Sequence, residues 1–381
     1  MKINNENGVK GIFLVIFCIS IFLFTRSNGY NILPFSNNIM LYLYSVIGSI
    51  VILYLSTSRI KLKAIDILCL VYFIYNLLWL LVTSKTKNIE TIYLFFFLAM
   101  LYINIRNISS IYYKYILYSF PFIVISHFIY YICWENPYYF LYEHKGVFTG
   151  FLHNSGLWGE FVAMTLICNI GLIHLNKKSK KTSTLLIFVS FIVSFMLYES
   201  DSRASWLSFA IGILTFFSPL IIKHLPKSII IRTGSLLILI CLCTYLISGL
   251  YSYKKDSADG RILIWKISLE MVKDKPILGY GFDGFRKNYM NYQAAYLQEK
   301  QLPETINNLA DDNHHAFNEF LRIIIEQGII GVIILFIFLT TIGYTIYKYK
   351  LYIDTVSRTI ISCLTALLFF SFFSYPLLIF C

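Results

Sequence analysis

The chain is poor in charge. Asp, Glu, Lys and Arg make up 14% of its 381 residues while 57% are hydrophobic, against the usual quarter of charged positions in soluble domains. With a mean hydropathy of +0.67, a soluble globular protein is excluded. Acid is the scarcer sign, 20 residues against 32 basic, for a net charge of +12. The basic residues form small clusters between apolar runs, not one stripe, which argues against nucleic acid as a partner. Cysteine is missing from the one long hydrophilic stretch, 251–327. All eight (Cys18, Cys69, Cys133, Cys168, Cys241, Cys243, Cys363 and Cys381) fall in or at the ends of apolar runs. No structural disulfide is expected in that stretch, and buried free thiols are the default reading. There is no internal repeat, Gly/Ser linker or low-complexity tract, so neither a repeat-built transporter nor a second domain is indicated. No small-residue cleavage site follows the first apolar run, 11–24; Thr25-Arg26-Ser27-Asn28 follows instead, and the run reads as an uncleaved span.

What is present is membrane. A span needs about 20 mostly apolar residues. Candidates are 11–25, 39–56, 64–82, 89–105, 111–133, 155–174, 184–199, 204–222, 229–250, 328–347 and 359–381. The expected fold class is all-α: a polytopic integral membrane protein of about eleven helices. It forms a single membrane domain, 1–381, with the loop 251–327 inserted between spans and carrying short surface helices. Many of the 30 tyrosines lie near run ends, where an amphipathic ring suits the headgroup zone. Lysine and arginine concentrate in alternate connections, among them Arg59, Lys61 and Lys63, then Lys177, Lys178, Lys180 and Lys181, then Lys348, Lys350 and Arg358. By the positive-inside rule these face the cytoplasm, which puts the long loop outside, on the periplasmic face if the cell is a Gram-negative bacterium. ATP and nucleotide sugars are absent there.

Five stretches carry chemistry. Gly146 to Gly156 runs into a span holding Glu160, a costly residue in a bilayer unless paired or facing water. Glu199-Ser200-Asp201-Ser202-Arg203-Ala204-Ser205-Trp206 is a very short outer connection whose small residues let a ligand approach the Arg203 guanidinium. In Asp259-Gly260-Arg261, Asp259 is a candidate N-cap, which places Arg261 in the first turn of an amphipathic surface helix with Ile262, Trp265, Leu269 and Val272 on its apolar face. A planar cation at a helix start suits phosphate. Gly279-Tyr280-Gly281-Phe282-Asp283-Gly284 spells a dinucleotide fingerprint, but no strand-to-helix unit surrounds it and it faces the wrong compartment. A tight turn is expected, with its amides as a possible phosphate contact. Asp311, Asp312, His314 and His315 are metal ligands by type, yet they lack the spacing that sets a pair on one helical face. A histidine acting as base toward a hydroxyl is more economical. No metal and no cofactor are expected.

Taken in order, these residues resemble the O-antigen ligase and O-antigen polymerase family. The resemblance rests on Ser202-Arg203-Ala204-Ser205-Trp206, on Gly260-Arg261 with Trp265, on 274–281 leading to Phe285, and on Asn318-Glu319-Phe320-Leu321 running to Glu326-Gln327-Gly328. It covers roughly 146–331 and implies a metal-independent glycosyltransferase of lipopolysaccharide or other polysaccharide biosynthesis. Such an enzyme moves a glycan from an undecaprenyl-pyrophosphate carrier to an acceptor hydroxyl. It implies two functional arginines, at Arg203 and Arg261, and a loop histidine. Where many members have that histidine directly before the Asn, this chain has Phe317, with His314 and His315 just upstream. The expected catalytic set is therefore His315, His314, Arg203 and Arg261; the expected substrate contacts are Arg203, Arg261, Trp265, Gly279, Gly281, Asn318 and Glu160. The partners implied are the lipid-linked donor, a lipid A-core or lipid-linked acceptor, and membrane lipid. A polymerase extending a lipid-linked repeat unit, and a lipid-linked oligosaccharide flippase, stand as the alternatives.

Overall fold

A computed structural model describes residues 63–83, 99, 102, 113–130, 132–133, 148–152, 154–224, 244–245, 248–300, 303, 306 and 308–376. The expected spans 11–25 and 39–56 lie outside the described residues, as do nearly all of 89–105 and 229–250. Within them the chain is helical: α1 (Ala64–Thr83), α2 (Tyr113–Tyr130), α3 (Ser155–Leu175), α4 (Lys180–Glu199), α5 (Arg203–His224), α6 (Lys255–Asp274), α7 (Gly284–Lys300), α8 (Glu319–Lys348) and α9 (Thr355–Phe370). Five of these, α1, α3, α4, α5 and α8, are long and apolar enough to cross a membrane, and α9 is a shorter apolar helix.

The bundle is built around α3, which packs on α2, α4, α5 and α9 and is apolar on all sides. Its start is fixed by Asn154, whose side chain accepts from Leu157 N at 3.0 Å, a cap worth about 1 kcal/mol. Close packing then depends on small residues: a Cβ at Gly171 would stand 2.1 Å from Thr359 Oγ1 of α9. Trp158, Phe161, Val162 and Leu166 bury themselves against Ile123, Val124 and Phe148 on one side and Val193 and Met196 on the other.

The hydrophilic stretch folds into a second layer made of α6, α7 and the start of α8, with α1 packed against α8. Leu263, Ile264, Ile267 and Met271 of α6 meet Phe285 and Tyr289 of α7, with Ala316 and Ile325 closing the cluster. The apolar face expected for α6 is therefore rotated. Ile262 and Leu269 are exposed, whereas the spacing 264, 267, 271 supplies the buried stripe. The helix also begins earlier than expected. Lys254 is its N-cap position, so Asp259 lies inside it, accepting from Tyr251 Oη at 2.5 Å.

α8 begins at Glu319, not near 328, and bends at Gly328, which adopts φ 63°. The bend frees backbone groups that the helix would otherwise pair, and four of them find partners elsewhere. Ile325 O accepts from Tyr280 N at 2.8 Å, and Ile329 N donates to Pro276 O at 2.9 Å. Glu326 O accepts from Gly281 N at 2.9 Å and from Trp79 Nε1 at 3.0 Å. Gln327 O accepts from Tyr75 Oη at 3.2 Å. A Cβ at Gly328 would lie 2.1 Å from Ile277 O, so only glycine permits this approach.

Candidate functional site

The site forms where the start of α5, the second turn of α6, the segment 314–317 and the chain after α9 meet. Arg203 opens α5 directly after a turn in which Asp201 takes φ 49°. Its Nη1 donates to Leu250 O at 2.5 Å. Asp201, two residues before it, is engaged by Lys254, with Nζ 2.5 Å from Oδ2 and 3.0 Å from the carbonyl oxygen. Arg203 therefore has no carboxylate of its own within ion-pair distance among the described residues.

Arg261 lies over the ring of Phe317 at 5.2 Å, a cation–π contact. Phe317 presents that ring from a left-handed backbone, φ 49°. Burial and the nearby Arg203 charge both push the Arg261 pKa below its usual value, and Tyr375 works in the opposite direction. Two guanidiniums from separate elements thus lie within electrostatic reach, and among the described residues no carboxylate is within ion-pair distance of either. Like charges held together in a partly dry place are costly without an anion between or beside them.

The histidine is held next to this pair. His315 stacks on Tyr375, ring centroids 4.0 Å and planes 21° apart. Tyr375 Oη in turn accepts from Asn154 Nδ2 at 2.9 Å, and Phe317 meets the same tyrosine edge-on at 5.4 Å. Trp265 Nε1 donates to Ala316 O at 3.0 Å, pinning the segment to α6. His315 Nδ1 is buried without a hydrogen-bond partner among the described residues. Burial first, and then the charges of His314, Arg286 and Arg322, lower the His315 pKa, with Asp283 opposing them. The ring is therefore neutral near pH 7 and able to accept a proton. His314 is different: exposed, with Nε2 3.7 Å from Asp312 Oδ2.

The remaining nominated residues have structural duties. Asn318 caps α8, accepting from Leu321 N at 3.0 Å. Gly279 N donates to Lys275 O at 3.2 Å and Gly281 N to Glu326 O at 2.9 Å. Those two amides serve the turn and the α8 bend and are not free for a phosphate. Glu160 is buried inside the bundle, where Ser208 Oγ of α5 donates to its Oε2. Trp206 is directed to the α4 side, donating to Leu197 O at 3.0 Å. Among the described residues no group of three or more His, Cys, Asp or Glu is gathered as for a metal ion.

Sequence reasoning missed four contributors: Asn154, Phe317, Tyr375 and the Arg322 fork. Arg322 Nε donates to Glu319 Oε1 at 3.0 Å and its Nη1 to Glu326 Oε2 at 3.1 Å, and Nη2 also reaches Glu319. The i, i+3 and i, i+4 spacing of these three was readable as a helical charge group.

Residues 188–336 match the protein-family model described as O-Antigen ligase. Among curated proteins, the chain is 34% identical over 175 residues to one named "Putative polysaccharide ligase" in Rickettsia conorii, covering 43% of this chain and 40% of that one. A Rickettsia typhi protein of the same description is 32% identical over 193 residues, covering 49% and 44%. A Haemophilus influenzae protein described as uncharacterized is 28% identical over 193 residues, covering 46% of each. The matches thus span less than half the length of these relatives. No solved structure matches the chain.

Proposed function

We propose, for a chain whose residues 188–336 carry the O-antigen ligase match, that it transfers a glycan from a polyprenyl-pyrophosphate carrier to an acceptor hydroxyl at the outer surface of a bacterial inner membrane. The observation that carries this reading is the pairing of Arg203 with Arg261, without carboxylate partners among the described residues, beside a histidine whose Nδ1 is unsatisfied. A diphosphate at headgroup depth suits that arrangement, because guanidiniums hold phosphate oxygens with charge-assisted, bidentate hydrogen bonds.

The step balances without an energy cofactor. The acceptor oxygen attacks the anomeric carbon as His315 takes its proton. The bond from that carbon to the pyrophosphate oxygen breaks, and the carrier diphosphate leaves with the electron pair. Arg203 and Arg261 stabilise the charge that builds on it, a contribution of about 3 kcal/mol for a single preorganised donor. Of the two histidines, His315 suits the base role better: its stack on Tyr375 fixes the ring, whereas His314 is exposed. Tyr375, Asn154 and Trp265 act by holding the segment in place. With lipid A-core saccharide as acceptor the reaction is ligation; with another lipid-linked repeat unit the same step is polymerisation. The lysine and arginine asymmetry of the connections supports the periplasmic placement.

The test is transfer in membranes from a lipid-linked donor by the wild type, Arg203→Ala, Arg261→Ala and His315→Ala at matched expression. Loss of transfer in all three, with the proteins still folded, is expected. Normal turnover by all three would sink the assignment.

A further inference from the structure

We infer that Lys254 is a positioning residue for Arg203: by occupying the carboxylate of Asp201 it keeps that guanidinium open to the carrier diphosphate, an inference that rests on the transfer reading above. Asp201 stands two residues before Arg203, in a turn with left-handed backbone, φ 49°. Its carboxylate is taken up on both oxygens. Tyr253 Oη donates to Oδ1 at 3.3 Å, and Lys254 Nζ lies 2.5 Å from Oδ2. The same ammonium donates to the Asp201 carbonyl oxygen at 3.0 Å.

Arg203 reaches the other end of the same short stretch, donating from Nη1 to Leu250 O at 2.5 Å. Leu250 and Lys254 are four residues apart, about one helical turn, in a segment that is helical through Tyr253. Acid and guanidinium are therefore held about a turn apart on one support, and the Asp201 charge is felt at Arg203. Lys254 decides which cation the acid serves.

Without the ammonium, Asp201 keeps one side-chain partner, the Tyr253 hydroxyl, and its charge has two outlets. It pairs with the Arg203 guanidinium, or it stays unpaired beside the place where the diphosphate charge gathers. The first competes with the anion and the second repels it. The lysine itself is a poor phosphate ligand, because two of its three donors are already spent on Asp201. The pair is partly exposed, 35% for the lysine side chain and 26% for the acid, so solvent screening limits its contribution to folding. Its effect falls on what Arg203 can bind.

The experiment compares the wild type with Lys254→Met, Asp201→Asn, the double variant and Lys254→Arg. Met keeps the stem and drops the charge, and Asn tolerates the left-handed backbone at 201. Two quantities are read on purified protein: affinity for inorganic pyrophosphate, and phenylglyoxal modification of Arg203, located by mass spectrometry with no ligand present. Lys254→Met is expected to weaken pyrophosphate binding about tenfold and to slow Arg203 modification, since a guanidinium paired with a carboxylate is less reactive. Adding Asp201→Asn restores both, Asp201→Asn alone weakens neither, and Lys254→Arg holds both. A double variant that fails to recover overturns the inference and makes Lys254 a direct phosphate ligand or a tether for α6. An unchanged Lys254→Met, or an Asp201→Asn that by itself behaves like Lys254→Met, overturns it as well. The labelling needs no donor and separates the two readings. A wild type that binds no pyrophosphate counts against the diphosphate reading, while slowed Arg203 modification in Lys254→Met, recovered in the double variant, still supports the role of Lys254; unslowed modification refutes it.

Discussion

The ring of His315 lies on that of Tyr375, 4.0 Å between centroids, and Tyr375 is tied to Asn154, the residue that caps the central helix. The loop histidine is thereby referenced to the membrane bundle. Replacing Tyr375 by Phe keeps the stack and loses the Asn154 bond; replacing it by Leu loses both. Aromatic pairs of this kind contribute about 0.5–1.5 kcal/mol beyond their buried area. Tyr375→Phe is expected to keep most transfer activity and Tyr375→Leu to lose roughly tenfold in kcat, with carrier binding little changed in both. Single-turnover rates alongside donor affinity check this; equal activity of Leu and wild type would remove the stack from the mechanism.

The arginine pair predicts non-additive kinetics. Arg203→Ala and Arg261→Ala are each expected to lower transfer by about a hundredfold or more. The double variant should fall by less than the product, because residues sharing one ligand couple. Arg261→Lys keeps the charge and loses the fork, so an intermediate loss is expected. Inorganic pyrophosphate binding to purified protein gives a readout apart from turnover. It should weaken in both single variants.

The histidine predicts the form of the pH profile. Its pKa is lowered by burial and by neighbouring positive charge, and a base works only when neutral. Activity should be flat above about pH 6.5, the unperturbed value, and fall only at lower pH. Asp283 holds a negative charge near the ring from a left-handed backbone, φ 58°, which Asn also tolerates. Asp283→Asn should move the acid limb to still lower pH, as measured by kcat/KM against pH. The sign for stability is consistent: the unfolded chain binds the proton more readily, so the contribution of His315 is complete above its unfolded pKa. It is lost as pH falls from there toward the folded value.

Two glycines predict opposite outcomes. Gly328→Ala forces a Cβ against Ile277 O at 2.1 Å with φ at +63°, and should unfold the protein or lower its detergent melting temperature sharply. Gly260 sits inside α6 beside Arg261, where an added Cβ meets nothing within 4 Å. Gly260→Ala should stabilise by about 1 kcal/mol and leave transfer intact. Loss of activity there would mean that the backbone beside Arg261 must flex.

The sequence made some of this legible and hid the rest for definite reasons. Apolar runs placed α1, α3, α4, α5 and α8 because length and hydropathy are local properties. Small residues around Arg203 and the Gly-Arg-x-x-x-Trp pattern around Arg261 marked the two cations, again from neighbours in the chain. The start of α6 was misread because Asp259 looks like a cap. Its carboxylate is instead taken by Tyr251, and the helix runs through Gly260 from Lys255. Tyr375 was absorbed into an expected span at 359–381, although α9 ends at Phe370 and the chain turns back toward the loop. No periodicity could assign a tyrosine to a histidine some sixty residues away; that pairing exists only in the packed state.

The bend at Gly328 has a consequence for the order of assembly. Its exposed carbonyls are met by Trp79 and Tyr75, which leave the ribosome some 250 positions ahead of them, and by the 276–281 turn, which emerges just before. The early helix is a waiting template. When α8 arrives, the bend can form only where both earlier segments are already present to receive it, so a displaced α1 should leave the arginine and histidine segments individually folded but unable to converge.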